Sequence, residues 1–178
     1  MMTIGHSNRA LEELLEMLAA YHVDLLVDVR TIPRSRHNPQ FNRDVMPQPL
    51  ASAGIEYVHM PGLGGLRRAR QDSVNTGWKN LSFRGYADYM ATAEFDQNLD
   101  ALLRLAAGRE PAIMCAEAVP WRCHRSLIAD ALTARGVPVG HLMSATRADP
   151  HRLTSFARVK AGKISYPPLT SSASSLFD

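Results

Sequence analysis

The chain has 178 residues, of which 46% are hydrophobic and 21% are charged. This length and composition predict one globular domain with a sizeable core and exclude an intrinsically disordered protein. No apolar run approaches the roughly 20 residues of a membrane-spanning helix, and no signal peptide is predicted. Because two cysteines cannot form a disulfide framework, we expect a cytoplasmic protein with no membrane partner.

The formal charge of +3 is carried mainly by arginine, which supplies 17 of the 20 basic residues. Arginine makes forked contacts with phosphate and carboxylate groups, so its excess fits an anionic ligand. A GC-rich genome also favours arginine, and the count alone therefore assigns no partner.

Apolar runs and amphipathic stretches alternate along the chain. Strands are predicted at 1–6, 25–29, 56–60, 112–115 and 137–142, and helices at 11–21, 44–53, 86–90, 95–107 and 125–135. Ser7 or Asn8 is a candidate cap for the first helix, and Thr92 is one for the fourth. Pro138 favours an edge position for the last strand. The alternation predicts a three-layer α/β sandwich, a mostly parallel sheet with helices on both faces.

The strand and helix pattern fades after Met143. We therefore predict an α/β domain over residues 1–145 and a C-terminal extension over residues 146–178. The serine-rich end of that extension, residues 171–178, is predicted to be a loose tail.

Polar turns follow four of the predicted strands, at 6–9, 30–43, 59–65 and 115–125. Ligands of parallel sheets bind beyond the carboxyl ends of the strands, so these turns are expected to form one site. Residues of this edge that we expect in its wall are His6, Ser7, Asp28, Phe41, His59 and Cys123. Asp28 is costly to bury without a cation, for which Arg30, Arg34, Arg36 and Arg125 are candidates.

The loop 30–43 is long and basic, and it contains no acidic residue. Arg34, Ser35 and Arg36 combine with Phe41 to offer cations, a hydroxyl and an aromatic ring. This combination suits a nucleotide or single-stranded nucleic acid.

The turn 115–125 joins a buried strand to a helix and holds the highest density of reactive side chains. A helix N-terminus stabilises anions and thiolates, so we predict Cys115 as a nucleophile and Glu117 or His124 as the proton carrier. The predicted anion-binding residues are Arg30, Arg34, Ser35, Arg36, Arg122, Arg125 and Ser126. Cys123 is interpreted either as a second reactive thiol or as a packing residue.

Cys115, Cys123 and His124, with His6 or Glu117, are suitable ligand types for zinc. Their spacing matches no closed zinc motif, and the chain has no CxxC pair. We therefore predict no metal and no cofactor.

Five ordered motifs also connect this chain with a known family. They are TIGHSNR, LLVDVRTIPRSRHNPQFN, YVHMPGLGG, FRGYADYM followed by TAEF, and MCAEAVPWRCHRSLIA. Together they resemble the family called domain of unknown function 488, from about Thr3 to His141. The resemblance implies an α/β fold and a bacterial or archaeal cytoplasmic protein, and it assigns no activity.

A more distant similarity is to rhodaneses and cysteine phosphatases, in which a strand ends at a cysteine and a helix begins near an arginine. Here six residues separate Cys115 from Arg122, one more than in the phosphatase loop. The sequence Asp28-Val29-Arg30 is similar to a rhodanese strand end. The acidic Glu117 departs from the rhodanese pattern.

The function expected from these residues is binding or turnover of a phosphorylated ligand, a nucleotide or a nucleic-acid end. Two alternatives stay open. In one, the arginine loops bind nucleic-acid phosphates without catalysis, and affinity falls steeply with salt. In the other, Cys115 and Cys123 form a redox sensor, which requires the two thiols to lie within disulfide reach.

Overall fold

Six strands form the central sheet in a computed structural model, which describes residues 1–168. The strands are β1 (Met2–Gly5), β2 (Leu25–Asp28), β3 (Glu56–His59), β4 (Pro111–Cys115), β5 (Gly140–Ser144) and β6 (Arg147–Pro150). Their order is β3-β2-β4-β1-β5-β6, and only β6 is antiparallel to its neighbour. A separate hairpin joins β7 (Arg158–Lys160) and β8 (Lys163–Ser165).

Within residues 1–168, five α-helices cover the two faces of this sheet. They are α1 (Leu11–Ala20), α2 (Pro47–Ser52), α3 (Leu81–Met90), α4 (Ala93–Ala106) and α5 (Arg125–Ala134). Thr92 caps α4 as predicted, because its hydroxyl accepts the N–H of Phe95. The predicted cap of α1 is wrong: the helix starts after Ala10, and Ser7 lies in a left-handed turn with φ 52°.

Alternate strand residues enter two separate cores. Val27 and Ile113 pack with residues of α3, α4 and α5, whereas Leu26 and Met114 pack with residues of α1 and α2. Strands buried on both faces are continuous apolar runs, which is the pattern of β2 and β4. The three-layer α/β sandwich predicted from the sequence is confirmed.

The region after Val137 differs most from the predicted elements. Strand β5 starts two residues after Pro138 and lies between β1 and β6, so the predicted edge position is wrong. Tyr166 is fully buried, and its hydroxyl donates to Asp130 of α5. The predicted tail, residues 171–178, lies outside the described residues.

Among the helices of residues 1–168, none has both the length and the apolar character that crossing a membrane requires. The longest helix, α4, has 14 residues and carries acidic side chains in its first turn.

Candidate functional site

A cavity of about 400 Å³ opens where β2 and β4 end. β4 lies between β1 and β2, so its carboxyl end is central in the sheet. The residues that line the cavity are Arg30, Thr31, Ile32, Gly65, Leu66, Ser82, Phe83, Cys115, Ala116, Glu117, Arg122, Cys123 and His124. Six residues of the predicted site are therefore brought together: Arg30, Cys115, Glu117, Arg122, Cys123 and His124.

Two thiols and one imidazole form a cluster in the cavity wall. Cys115 ends β4, and a short helical turn, Pro120–Arg122, returns the chain so that Cys123 and His124 lie beside it. Nδ1 of His124 is 3.7 Å from Sγ of Cys115 and 3.8 Å from Sγ of Cys123. Both cysteines are free thiols, with exposures of 7% and 3%.

The ring of His124 is held in place by its neighbours. A Cβ on Gly65 would lie 2.5 Å from Nδ1, so the absence of a side chain there makes room for the ring. The ring of Tyr86 lies on another side, with centroids 5.0 Å apart. Nε2 of His124 is buried and has no hydrogen-bond partner within residues 1–168. Nδ1 is the ring nitrogen that faces both sulfurs, so it is the one that can exchange a proton with them.

The two thiols differ in acidity because each acts on the other. The neighbouring thiol of Cys115 lowers the pKa of Cys123 to about 7, against the effect of burial, and the charge and backbone N–H of Arg125 act in the same direction. The neighbouring thiol of Cys123 and burial raise the pKa of Cys115. A negative charge on the pair is therefore stabilised on Cys123, whereas Cys115 keeps its proton.

The chain matches the profile of one known protein family. The profile of the family described as "Domain of unknown function DUF488" matches residues 10–132. The chain belongs to this family. Searches of curated proteins and of solved structures gave no match.

The segment that matches DUF488 contains the whole thiol and imidazole cluster and also Asp28 and Arg30. His6 of β1 lies outside it, although β1 pairs with β4 and His6 donates its backbone N–H to Cys115. His6 therefore supports the end of β4 from outside the matched segment, although it does not line the cavity.

Asp28 and Arg30 form a second, buried cluster behind the cavity. Nε of Arg30 lies 2.9 Å and 3.1 Å from the two carboxylate oxygens of Asp28, and the hydroxyl of Tyr57 donates to the same carboxylate at 2.7 Å. The cation that Asp28 needs is therefore Arg30, one of the predicted candidates. His59 reaches the backbone carbonyl of Arg30 at 2.8 Å.

His6 completes this second cluster as a neutral ring. Its Nδ1 lies 2.7 Å from the carbonyl of Ser7, which can only accept, so Nε2 accepts from Arg30 at 2.9 Å. Burial and the charge of Arg30 lower the pKa of His6 to about 4. The ring also stacks on Phe41, with centroids 4.3 Å apart.

Arg125, a predicted anion-binding residue, is directed into the fold. Its guanidinium donates to the carbonyls of Glu117 and Ala118, and the side chain is 1% exposed. Gly5 provides the room, because a Cβ there would collide with the carbonyl of Glu117. Arg125 is not among the residues that line the cavity.

The remaining predicted anion-binding residues lie away from the cavity. Arg34 and Arg36 are exposed, and Arg34 lines a separate surface depression. Ser35 accepts the N–H of Asn38 within its own loop. Ser126 donates to the carbonyl of Cys123 and borders a different cavity.

Sequence reasoning missed Tyr57 and the cavity residues Ser82 and Phe83. Tyr57 had a usable signal, because it lies two residues before His59 on the strand beside β2. Ser82 and Phe83 had none, since they come from a helix that packs on this edge only in three dimensions.

Proposed function

We propose that this DUF488 protein is an enzyme that uses a cysteine thiolate on a small anionic ligand bound in the 400 Å³ cavity. The observation that carries the proposal is the cluster of Cys115, Cys123 and His124 in a cavity wall that also contains Arg122. Concave sites with a few convergent polar groups of altered acidity are the usual place of enzyme chemistry.

The proposed nucleophile is Cys123, whereas the sequence alone favours Cys115. A thiol with a pKa of about 7 is about half ionised at pH 7, and the thiolate is the reactive form. Cys115 supports it as a neighbouring protonated thiol that favours the charged form of Cys123. His124, within 3.8 Å of both sulfurs, is placed to exchange a proton with either.

Arg122 is the proposed anion-binding cation. It is exposed, lines the cavity, and makes no side-chain hydrogen bond or ion pair within residues 1–168. Arg30 also lines the cavity, but Asp28 already balances its charge. One free guanidinium fits a small ligand with a single phosphate or carboxylate group.

The proposed reaction is a substitution in two steps. Sγ of Cys123 forms a bond to the electrophilic atom of the ligand, and that atom's bond to the leaving group breaks. The leaving group departs with the electron pair and takes up a proton from water. Water then attacks the bound group, releases it with a new hydroxyl, and restores the thiolate and one proton.

Alkylation by iodoacetamide, followed separately at the two cysteines by mass spectrometry, tests the proposal. We expect Cys123 to react with a midpoint near pH 7, below the ~8.5 of a free thiol, and Cys115 to react much more slowly. Inorganic phosphate should slow the reaction of Cys123 in the wild type.

Arg122→Ala should remove the protection by phosphate. Arg34→Ala is the matched control, because Arg34 is exposed and lies outside the cavity. Labelling of Cys123 with the midpoint of a free thiol, or phosphate protection that survives Arg122→Ala, would contradict the proposal.

Nucleic-acid binding without catalysis has weaker support, because several arginines that could serve it are engaged within the chain. Arg67 donates to the carbonyls of Gly62 and Gly64, and Arg70 is paired with Asp72. Arg84 donates to the carbonyl of Trp78. The redox-sensor hypothesis stays a prediction, with both sulfurs in a cluster whose atoms lie within 4.8 Å of one another.

A further inference from the structure

We propose that Cys115, Cys123 and His124 also form a zinc-binding site, and that zinc and the thiol chemistry exclude one another there. The metal site stands on its own geometry. The exclusion rests on the proposed function, because the same sulfur atoms would serve as ligands and as the reactive group.

Two of the three separations between the ligand atoms match those of a tetrahedral zinc site. Zn–S bonds of about 2.3 Å and Zn–N bonds of about 2.0–2.1 Å place neighbouring ligand atoms about 3.6–3.8 Å apart. Nδ1 of His124 lies 3.7 Å and 3.8 Å from the two sulfurs, and all three atoms lie within 4.8 Å of one another. A small closure of the triangle would complete three corners of the tetrahedron.

The chemistry of the donors also fits zinc. Two thiolates balance the charge of Zn²⁺, so the buried centre is neutral, whereas two buried thiolates without a metal would repel each other. All three residues line the cavity, which leaves the fourth position accessible from that side. Three protein ligands with an open position are typical of catalytic and exchangeable zinc sites rather than of closed structural ones.

The ligands are held before any metal arrives. Cys115 ends β4, which pairs with β1 on one side and β2 on the other. Gly65 and Tyr86 hold the imidazole with Nδ1 towards the sulfurs. Cys123 and His124 are adjacent in sequence, which explains why no spaced zinc motif is visible in the chain.

Metal titration of the reduced, metal-free protein tests the site. We expect one Zn²⁺ per chain in competition with a chromogenic chelator, and we expect Co²⁺ to give thiolate charge-transfer absorption and the intense visible bands of four-coordination. Cys123→Ser and His124→Ala should each weaken Zn²⁺ binding by about 100-fold or more, since loss of an outer-shell partner alone costs 10–100-fold.

His37→Ala is the matched control, because His37 is exposed and lies outside the cavity, and it should keep wild-type affinity. Wild-type protein whose cysteines are alkylated before the titration should also lose Zn²⁺ binding. This measurement needs no substitution, so it still tests the site if a variant fails to fold. The site is refuted if no stoichiometric uptake occurs, or if the alkylated protein binds Zn²⁺ as tightly as the untreated one.

The exclusion is tested by alkylation of the zinc-loaded protein. Saturating Zn²⁺ should slow the labelling of Cys123 at least about 10-fold, and a chelator should restore the rate. Zinc uptake without protection overturns the exclusion. A reactive Cys123 without zinc uptake refutes the metal site alone, whereas zinc uptake with an unreactive Cys123 in the metal-free protein refutes the proposed enzyme alone.

Discussion

Arg125 fixes the shape of the loop that carries the candidate chemistry. Its guanidinium is enclosed by the fold and donates to the carbonyls of Glu117 and Ala118, directly after Cys115. The charge of Arg125 also acts on Cys123, whose pKa it helps to lower. One residue therefore contributes both to the loop geometry and to the acidity of the thiol.

We expect Arg125→Met to destabilise the protein by about 2 kcal/mol, because two carbonyl groups lose a charged donor and one side of the loop is released. The same variant should raise the pH midpoint of Cys123 alkylation, since a cation near the sulfur is lost. Urea unfolding and the alkylation assay measure the two effects.

Arg34→Met is the control for this change and should alter stability by less than about 0.5 kcal/mol, as is usual for an exposed side chain. If Arg125→Met unfolds at the wild-type urea concentration, the guanidinium does not hold the loop.

At the scale of elements, the cluster around Asp28 ties three strand ends together. Asp28 ends β2 and Arg30 follows it, Tyr57 belongs to β3, and His6 follows β1. These strands reach one edge because they are parallel, so a polar network there can join elements that are distant in sequence.

Tyr57→Phe should cost about 1 kcal/mol, the usual worth of one hydrogen bond. Asp28→Ala should cost about 3–5 kcal/mol, because it leaves the buried guanidinium of Arg30 without a counter-charge. Urea unfolding with an unchanged slope would identify both as losses of native stability.

Tyr21→Phe is the matched control for Tyr57→Phe, because the Tyr21 hydroxyl has no hydrogen bond within residues 1–168. Equal effects of the two tyrosine variants would show that the Tyr57 hydroxyl contributes nothing to the network.

The elements that the sequence predicted best are those whose surroundings leave a periodic pattern. β2 and β4 are apolar on both faces, and α4 has an apolar stripe, so each could be recognised from its own residues. β6, with the sequence RADP, has no such pattern. It forms a strand because its backbone pairs with the edge of β5. In the site, the strand and helix boundaries placed Cys115, Cys123 and His124 in one turn, but they left open whether the two thiols lie close together. The burial of Arg125 could not be predicted, because its acceptors are backbone carbonyls whose positions depend on the folded loop.

At the scale of the whole molecule, residues 150–166 are anchored to α5 through Asp130. His151, Thr154 and Tyr166 all donate to its carboxylate. Two further hydrogen bonds extend this network. Nδ1 of His151 lies 2.9 Å from Nε2 of His141, and Nδ1 of His141 lies 2.7 Å from the hydroxyl of Thr3. A single buried network therefore joins the first strand, α5 and the end of the described chain.

Burial favours the neutral form of His141 in this network, as it does for His6 in the cluster around Asp28. Burial lowers the pKa of each ring from 6.5 to about 4, with help from the charge of Arg30 for His6 and of His151 for His141. The unfolded chain therefore binds more protons than the folded one between these values. Stability should be complete above pH 6.5 and should fall as the pH is lowered towards 4, by roughly 3 kcal/mol for each histidine.

Urea unfolding at a series of pH values measures this slope directly. His141→Gln should flatten the decline between pH 6.5 and 4 whatever its effect on absolute stability, since a group that does not titrate cannot contribute to the slope. His37→Gln, at an exposed position, should leave the slope unchanged. A wild-type stability that stays constant over this range would mean that the two rings accept protons in the folded protein, and the assignment of His6 as the acceptor of the Arg30 hydrogen bond would then be wrong.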